Sequence, residues 1–224
     1  MLKKIFVALI VVVAIVGMAF FVQKMVKNVA PTLGSVSESS ASNATGALPV
    51  LAEAMPEFTG VTAWLNSPAL TPASLRGKVV LIDFWTYTCI NCIRTLPYVT
   101  SWYQKYADKG LVIIGVHTPE FAIEKKQDNV QAAMKRFGIK YPVAMDNDYA
   151  VWNAYSNQYW PAEYLFDAQG RLRETHFGEG DYEKTEMNIQ ALLAEAGMTE
   201  KTALTTLPSI INFSQVGTPE TYVG

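Results

Sequence analysis

The chain has 224 residues, of which 50% are hydrophobic, 12% aromatic and 17% charged, with a formal net charge of −2. So neutral a balance leaves no electrostatic footprint for nucleic acid, and the abundance of aliphatic and aromatic residues argues against general disorder. Two cysteines are too few for a disulfide-dense scaffold or a four-thiolate zinc site.

The hydrophobic half is unevenly spread. Among the first 22 residues only Lys3, Lys4 and Gly17 fall outside the apolar class. Residues 5–22 would form a helix of about 27 Å, close to the roughly 30 Å hydrocarbon core of a bilayer. A cleavable signal has a shorter apolar region ending at a small-x-small site. Gly17-Met18-Ala19 offers such a site, but Phe20-Phe21-Val22 carries the apolar run past it. Length therefore favours an uncleaved single-pass anchor over residues 1–22, lodged in the cytoplasmic (inner) membrane, with Lys3 and Lys4 inside and the rest of the chain facing the periplasm or cell exterior. Residues 23–55, rich in Ser, Ala and Gly without period, read as a flexible tether.

From residue 56 strand and helix patterns alternate. Residues 62–65 are a short strand candidate and 67–77 a loop with two prolines. Residues 78–85, Lys-Val-Val-Leu-Ile-Asp-Phe-Trp, read as a strand buried on both faces, because the apolar run does not alternate. Residues 92–106 carry a helical period that Pro97 is expected to kink. Residues 111–116 repeat the buried-strand pattern, 126–137 form an amphipathic helix closed by Gly138, and 141–145 a third short strand. A turn with a short helix follows over 146–155. Residues 162–166 and 172–177 flank Asp167-Ala-Gln-Gly170, a hairpin signal, and 182–196 form a closing helix before Gly197. Residues 198–224 are an unpatterned tail. This order predicts an α/β domain over 56–197 with a mixed central sheet and helices on both faces.

Cys89-Ile-Asn-Cys92 directly follows the first buried strand and opens a helix. Unpaired N–H groups and the helix dipole favour an anion there, so Cys89 is expected to titrate low and act as nucleophile, with Cys92, one turn in, as the shielded resolving thiol. A thiolate attacks a disulfide, a mixed disulfide forms, and the second thiol displaces the product. A CxxC pair also occurs in zinc sites, but no second cysteine pair exists to complete one. A static disulfide between such near neighbours would constrain the unfolded chain little.

The segment Val80-Leu-Ile-Asp-Phe-Trp-Thr-Tyr-Thr-Cys-Ile-Asn-Cys92 with Pro97 resembles the thioredoxin active-site segment and, within that superfamily, the membrane-anchored TlpA-like thiol-disulfide oxidoreductases. It also resembles the extracytoplasmic thioredoxin-like domain of DipZ-type proteins, which share the look of His117-Thr-Pro-Glu-Phe121 and of Tyr159-Trp160-Pro161-Ala162. The resemblance implies a thioredoxin fold with a TlpA-like insertion at about 122–145, a redox-active Cys89/Cys92 pair and no cofactor. Asp83, six positions before Cys89, matches the family's buried acid, which takes the proton of the resolving thiol; the alternative is a strand-end aspartate that bonds backbone. Pro161 matches the family's cis-proline, which would present the backbone of Trp160 to an extended substrate; an ordinary trans proline at a strand start is the alternative.

Tyr87, Tyr159 and Trp160 are expected to form an apolar rim that touches substrate. His117 and Glu120 would tune Cys89, or simply belong to a polar loop. Cys89, Cys92 and His117 could instead carry copper, although copper-delivering relatives space their cysteines one residue wider. Glu124-Lys125-Lys126 reads as a solvated helix start, and His176 as a half-exposed structural residue. DipZ-type proteins carry a multi-span membrane conduit that one apolar run cannot supply, so electrons would come from a membrane thiol-shuttling donor of the CcdA or DsbD type and pass to the thiols and disulfides of exported proteins. The resemblance, rather than the chemistry of the motif, implies reduction as the direction, serving cytochrome c maturation or disulfide repair; an oxidising disulfide donor is the reverse. Residues 217–224 resemble the opening of a further β-rich domain, and no such domain is expected here.

Overall fold

The structure is a computed structural model that describes residues 47–198 and 202–207. The anchor expected over 1–22, most of the expected tether and the end of the tail lie outside the described residues. Among the described residues no helix is long and apolar enough to cross a membrane.

The fold is organised around β2 (Val79–Trp85), whose seven residues are all buried. A strand with no exposed face needs partners on both edges and cover on both sides. It pairs in parallel with β3 (Leu111–His117) and antiparallel with β5 (Ala162–Phe166). The sheet extends through β4 (Val143–Met145) to the edge strand β1 (Ala63–Leu65), and through the hairpin to β6 (Leu172–Phe177). The strand order is β1-β4-β3-β2-β5-β6, the mixed sheet expected from the alternating patterns.

Alternate residues of β2 divide the core. Val79, Leu81 and Trp85 pack with the inner stripes of α1 (Ile90–Tyr106), α2 (Gln127–Phe137) and α4 (Tyr182–Glu195). Val80, Ile82 and Phe84 face α3 (Ala150–Ala154), where Trp152, Tyr155 and Tyr164 surround the Phe84 ring edge to face. Helices thus cover both faces, but the second is closed mainly by one five-residue helix, by Met55 and Phe58 from the segment before β1, and by Leu75 at the end of a 3-10 turn before β2. Helix α1 runs across Pro97 without a break, since proline withdraws only one amide donor from the ladder. At the hairpin, Gly170 takes φ 76°, a conformation glycine adopts without a Cβ clash, and the Asp167 carboxylate accepts the amides of Gln169 and Arg171.

Both ends of the domain reach beyond the expected 56–197. The last residues of the expected tether are part of the fold: Leu51 N donates to Leu172 O at 2.7 Å and Leu172 N to Ala52 O at 2.8 Å, which adds a bridge outside β6. Arg173, buried in β6, pairs with Asp167 and Glu195 and donates from Nε to the Leu48 and Pro49 carbonyls. The composition of the segment carried no period because this attachment uses backbone groups, which any residue supplies. The start of the tail likewise lies on the domain. Lys105 Nζ donates to Ala203 O at 2.7 Å, and Thr205 N donates to the buried Glu186 carboxylate.

Gly115 sits in β3 directly beside Asp83 of β2. A Cβ there would lie 2.9 Å from Trp85 Nε1 and 3.1 Å from the Tyr141 ring, both fixed in the core. Gly115→Ala is therefore expected to cost about 1–3 kcal/mol by overpacking, seen as a lower urea midpoint with an unchanged slope.

Candidate active site

Cys89 is the residue that caps α1. Its backbone is extended (φ −68°, ψ 114°), its carbonyl accepts the Ile93 amide at 3.0 Å, and its Sγ accepts the Cys92 amide at 3.2 Å. The first turn contains no acidic residue, so the sulfur is the group that meets the unpaired donors of the helix end. Hydrogen bonding from the Cys92 side chain is the main influence lowering the Cys89 thiol to about 7; the Cys92 and Asn91 amides assist, while partial burial and the charge of Glu120 oppose. Cys92, 1% exposed, is pushed far upward, by burial first and then by the neighbouring Cys89 sulfur and Asp83. Both are free thiols. One sulfur is thus poised to ionise near neutrality while the other holds its proton until an acceptor is offered.

A buried carboxyl acts on both thiols from the sheet. Asp83, 1% exposed, has two carboxyl oxygens with no hydrogen-bond partner. Burial, followed by the charge of Cys89, raises it to about 7. An isolated buried carboxylate is costly, so the group is protonated far above its ordinary range and can exchange a proton near pH 7.

The loop between β2 and α1 is held from the side by residues 119–125. Glu124 is fully buried, and its carboxylate accepts Thr88 Oγ1 at 2.6 Å, Thr88 N at 3.3 Å, Glu120 N at 2.6 Å and Phe121 N at 2.8 Å. The expectation of a solvated helix start is corrected here: a carboxylate with four donors can be buried, and these bonds hold it below the usual range against desolvation. Its spacing of three from Phe121, at the start of a helical turn, was the available signal, since a carboxylate there reaches back to unpaired amides.

His117 ends β3, fully buried. Its ring stacks on Tyr87 at 5.7 Å, meets the edge of Trp85 at 5.2 Å and has Nε2 3.4 Å from Thr86 Oγ1. Desolvation lowers it to about 4, so the imidazole is neutral at pH 7. Among the described residues no group of three His, Cys, Asp or Glu side chains is arranged to hold a metal ion. Glu120 is exposed and acts on Cys89 only through its charge.

The Trp160–Pro161 peptide is cis. Trp160 is half-buried against Trp152, with centroids 4.2 Å apart, and donates Nε1–H to Thr118 O at 3.2 Å. Tyr87, half-buried, donates to Ile123 O, and Tyr159 is 52% exposed against Phe177. Trp160, Tyr87 and Cys89 all pack at the margin of the core cluster that contains Cys92. Ile90 and Phe121, each more than half exposed, add apolar surface beside the capping thiol and its clamp. Sequence reasoning also missed Glu163, buried in β5; a single acid inside an otherwise apolar strand was its signal.

A dithiol at the first turn of a helix, over a buried acid on this sheet order, defines a thiol-disulfide oxidoreductase of thioredoxin-like fold. The chain belongs to the Redoxin family, which matches residues 51–193. It is 52% identical over 175 residues to Protein DipZ of Mycobacterium bovis, an alignment covering 75% of this chain and 25% of that protein. The chain therefore corresponds to about a quarter of that relative's length. It is 32% identical over 145 residues to the thiol-disulfide oxidoreductase YkuV of Bacillus subtilis, covering 65% of this chain and 97% of the relative. The solution structure of a thioredoxin-like protein in its oxidised form superimposes with a TM-score of 0.59 at 33% identity, covering 64% of this chain and 97% of the other.

Two titrations test the site. Thiolate absorbance near 240 nm is expected to give a Cys89 midpoint near 7, and Glu120→Gln should lower it by removing an opposing charge. For Asp83, the folded chain holds a proton up to about 7 against an ordinary value of 3.8. Between those values the folded state binds more protons than the unfolded, so stability falls as pH rises through that window and is level above it. Asp83→Asn should therefore stabilise the protein at pH 8 by up to about 4 kcal/mol, at about 1.4 kcal/mol per decade of proton affinity, with no gain at pH 4.

Proposed function

We propose that this protein is a membrane-anchored, extracytoplasmic reductase that passes electrons through Cys89 and Cys92 to the disulfides of exported proteins. The observation that carries the reading is the capping geometry, in which Cys89 Sγ accepts the Cys92 amide above the unpartnered carboxyl of Asp83. Cys89 attacks a target disulfide as thiolate and a mixed disulfide forms. Cys92 then gives its proton to Asp83, attacks Cys89 and releases the target as a thiol. Tyr87, Tyr159, Trp160 and Pro161 form the surface on which an extended target strand lies, with Ile90 and Phe121 widening it. Glu120 sets the Cys89 midpoint by charge, and neutral His117 acts through its stack on Tyr87.

The direction is argued from Cys89. A thiolate near 7 resembles the nucleophile of reducing pairs, whereas strongly oxidising pairs stabilise their thiolate to about 3.5. Export is supported by the apolar run over residues 5–22 and the similarity to DipZ. The electron donor on this reading is a separate membrane protein that shuttles thiols, and the recipients are exported thiols such as those needed for cytochrome c maturation, or misoxidised cysteines.

Cys89→Ser is expected to abolish reduction of insulin disulfides, and Cys92→Ser to accumulate mixed disulfides with target proteins, visible on non-reducing gels. Full activity in Cys89→Ser would overturn the mechanism. Equilibration of the pair with glutathione tests direction: a potential of about −270 mV or lower fits a reductase, and one near −120 mV a disulfide donor.

A further inference from the structure

Asp83 does not stand alone. In the antiparallel register of β2 and β5 its direct partner is Glu163, which is 3% exposed, and neither oxygen of that carboxyl has a hydrogen-bond partner. Directly paired residues point to the same face of a sheet with Cβ atoms about 4.5–5.5 Å apart. That face is the one carrying Leu81, Trp85, Leu165 and Cys92. On the other side of Asp83 stands Gly115, which offers no side chain.

Cys89 acts on Asp83 through its charge from the start of α1. Cys92 faces Asp83 from α1, and the buried Tyr141 hydroxyl, itself without a hydrogen-bond partner, feels the charge of both carboxyls from the segment before β4. From β6, His176 is the cross-strand partner of Glu163 and has an unpartnered Nε2, while Glu174 adds a like charge and is itself 3.9 Å from Lys184. Thr185 faces Glu163 from α4, its hydroxyl without a hydrogen bond of normal geometry. Among the described residues no cation pairs with Asp83 or Glu163.

We propose that Asp83 and Glu163 work as a single acid pair that holds one proton between them and serves Cys92 in both directions of the cycle. This rests on the reading of Asp83 as the Cys92 proton acceptor. Two unpaired carboxylates at cross-strand distance in an apolar core resist ionising together, so the pair carries one negative charge and one proton over a wide range. In that state it can take a proton, and it gives its last one only to a stronger base, the buried Cys92 thiolate, after which solvent restores it.

When Cys92 resolves a mixed disulfide, its S–H proton goes to the pair. The Cys92–Cys89 bond forms, the Cys89–target bond breaks, and the electron pair leaves on the target thiolate. Cys92 is oxidised and the target sulfur reduced. In regeneration a donor dithiol attacks Cys89 as thiolate. The donor–Cys89 bond forms, the Cys89–Cys92 bond breaks, and the electron pair stays on Cys92, which takes a proton from the pair; the donor's second thiol then closes the donor disulfide and frees Cys89. A lone Asp83 with a midpoint near 7 accepts in the first step but holds no proton for the second above neutrality. Glu163 keeps one in place.

The test separates the two half-reactions in full-length Glu163→Gln. Resolution is followed as thionitrobenzoate released from a Cys89 mixed disulfide. Regeneration is followed as cleavage of the Cys89–Cys92 disulfide by dithiothreitol, normalised to its thiolate. At pH 8.5 regeneration is expected to slow at least fivefold while resolution stays within twofold of wild type, and at pH 6 both should agree with wild type within twofold. Equal losses in both half-reactions at both pH values, or no loss in either, would overturn the proposal. Should the variant not fold, carboxyl-carbon NMR of the wild-type dithiol decides: a shared proton makes both carboxyls titrate with the same two midpoints, whereas two independent single steps overturn it. That titration uses no target, so failure of the acid pair is read separately from failure of the proposed exchange reaction.

Discussion

The burial of β2 on both faces is the constraint on which the site depends. A strand with seven buried residues creates the low-polarity surroundings in which Asp83 keeps its proton to about 7, and the short loop after it leads into α1, where the capping position falls to Cys89. The same burial shields Cys92 and raises its proton affinity, while Cys89 at the helix end is drawn the opposite way by hydrogen bonds. Two identical thiols three residues apart thus acquire opposite tendencies from one structural fact, their position relative to the core boundary.

Such a difference is useful only if the loop holds its geometry. Glu124 satisfies four donors around the cysteine loop, and Trp85, His117 and Tyr87 form a continuous aromatic contact behind it. Charge-assisted bonds to a buried carboxylate are stronger than neutral ones, and losing any would leave a buried charge undersatisfied. Against this fixed base, Ile90, Phe121 and Tyr159 stay exposed. Rigid polar anchoring below thus leaves apolar surface exposed above, beside the capping thiol.

The two ends of the domain are tied down elsewhere. Residues 48–52 attach along β6 through backbone bonds and the Arg173–Asp167–Glu195 cluster. Residues 202–205 attach to Lys105, Glu186 and Gln190 at the end of α1 opposite Cys89, about 24 Å along the helix. Buried ion pairs contribute little net stability but fix register, because breaking one leaves an unpaired charge. They fasten both segments without occupying the thiol end of α1.

The amino-acid sequence by itself determined the order of elements, the placement of Cys89-Ile-Asn-Cys92 between a buried strand and a helix, and Asp83 six residues earlier. Periodicity, caps and turns act over a few residues, and those signals lie in the local pattern. What it could not determine are contacts joining distant parts of the chain. Glu124 reaches Thr88 across 36 residues and is buried rather than solvated, because a turn after β3 aims it at the cysteine loop. Residues 47–55 carry no period, yet Leu51 and Ala52 bridge to the sheet through backbone groups that composition does not encode. Glu163 meets Asp83 only because β5 enters antiparallel beside β2 in one particular register. A shift of one residue would turn Glu163 to the other face, so the pairing of the two acids is a property of the tertiary fold.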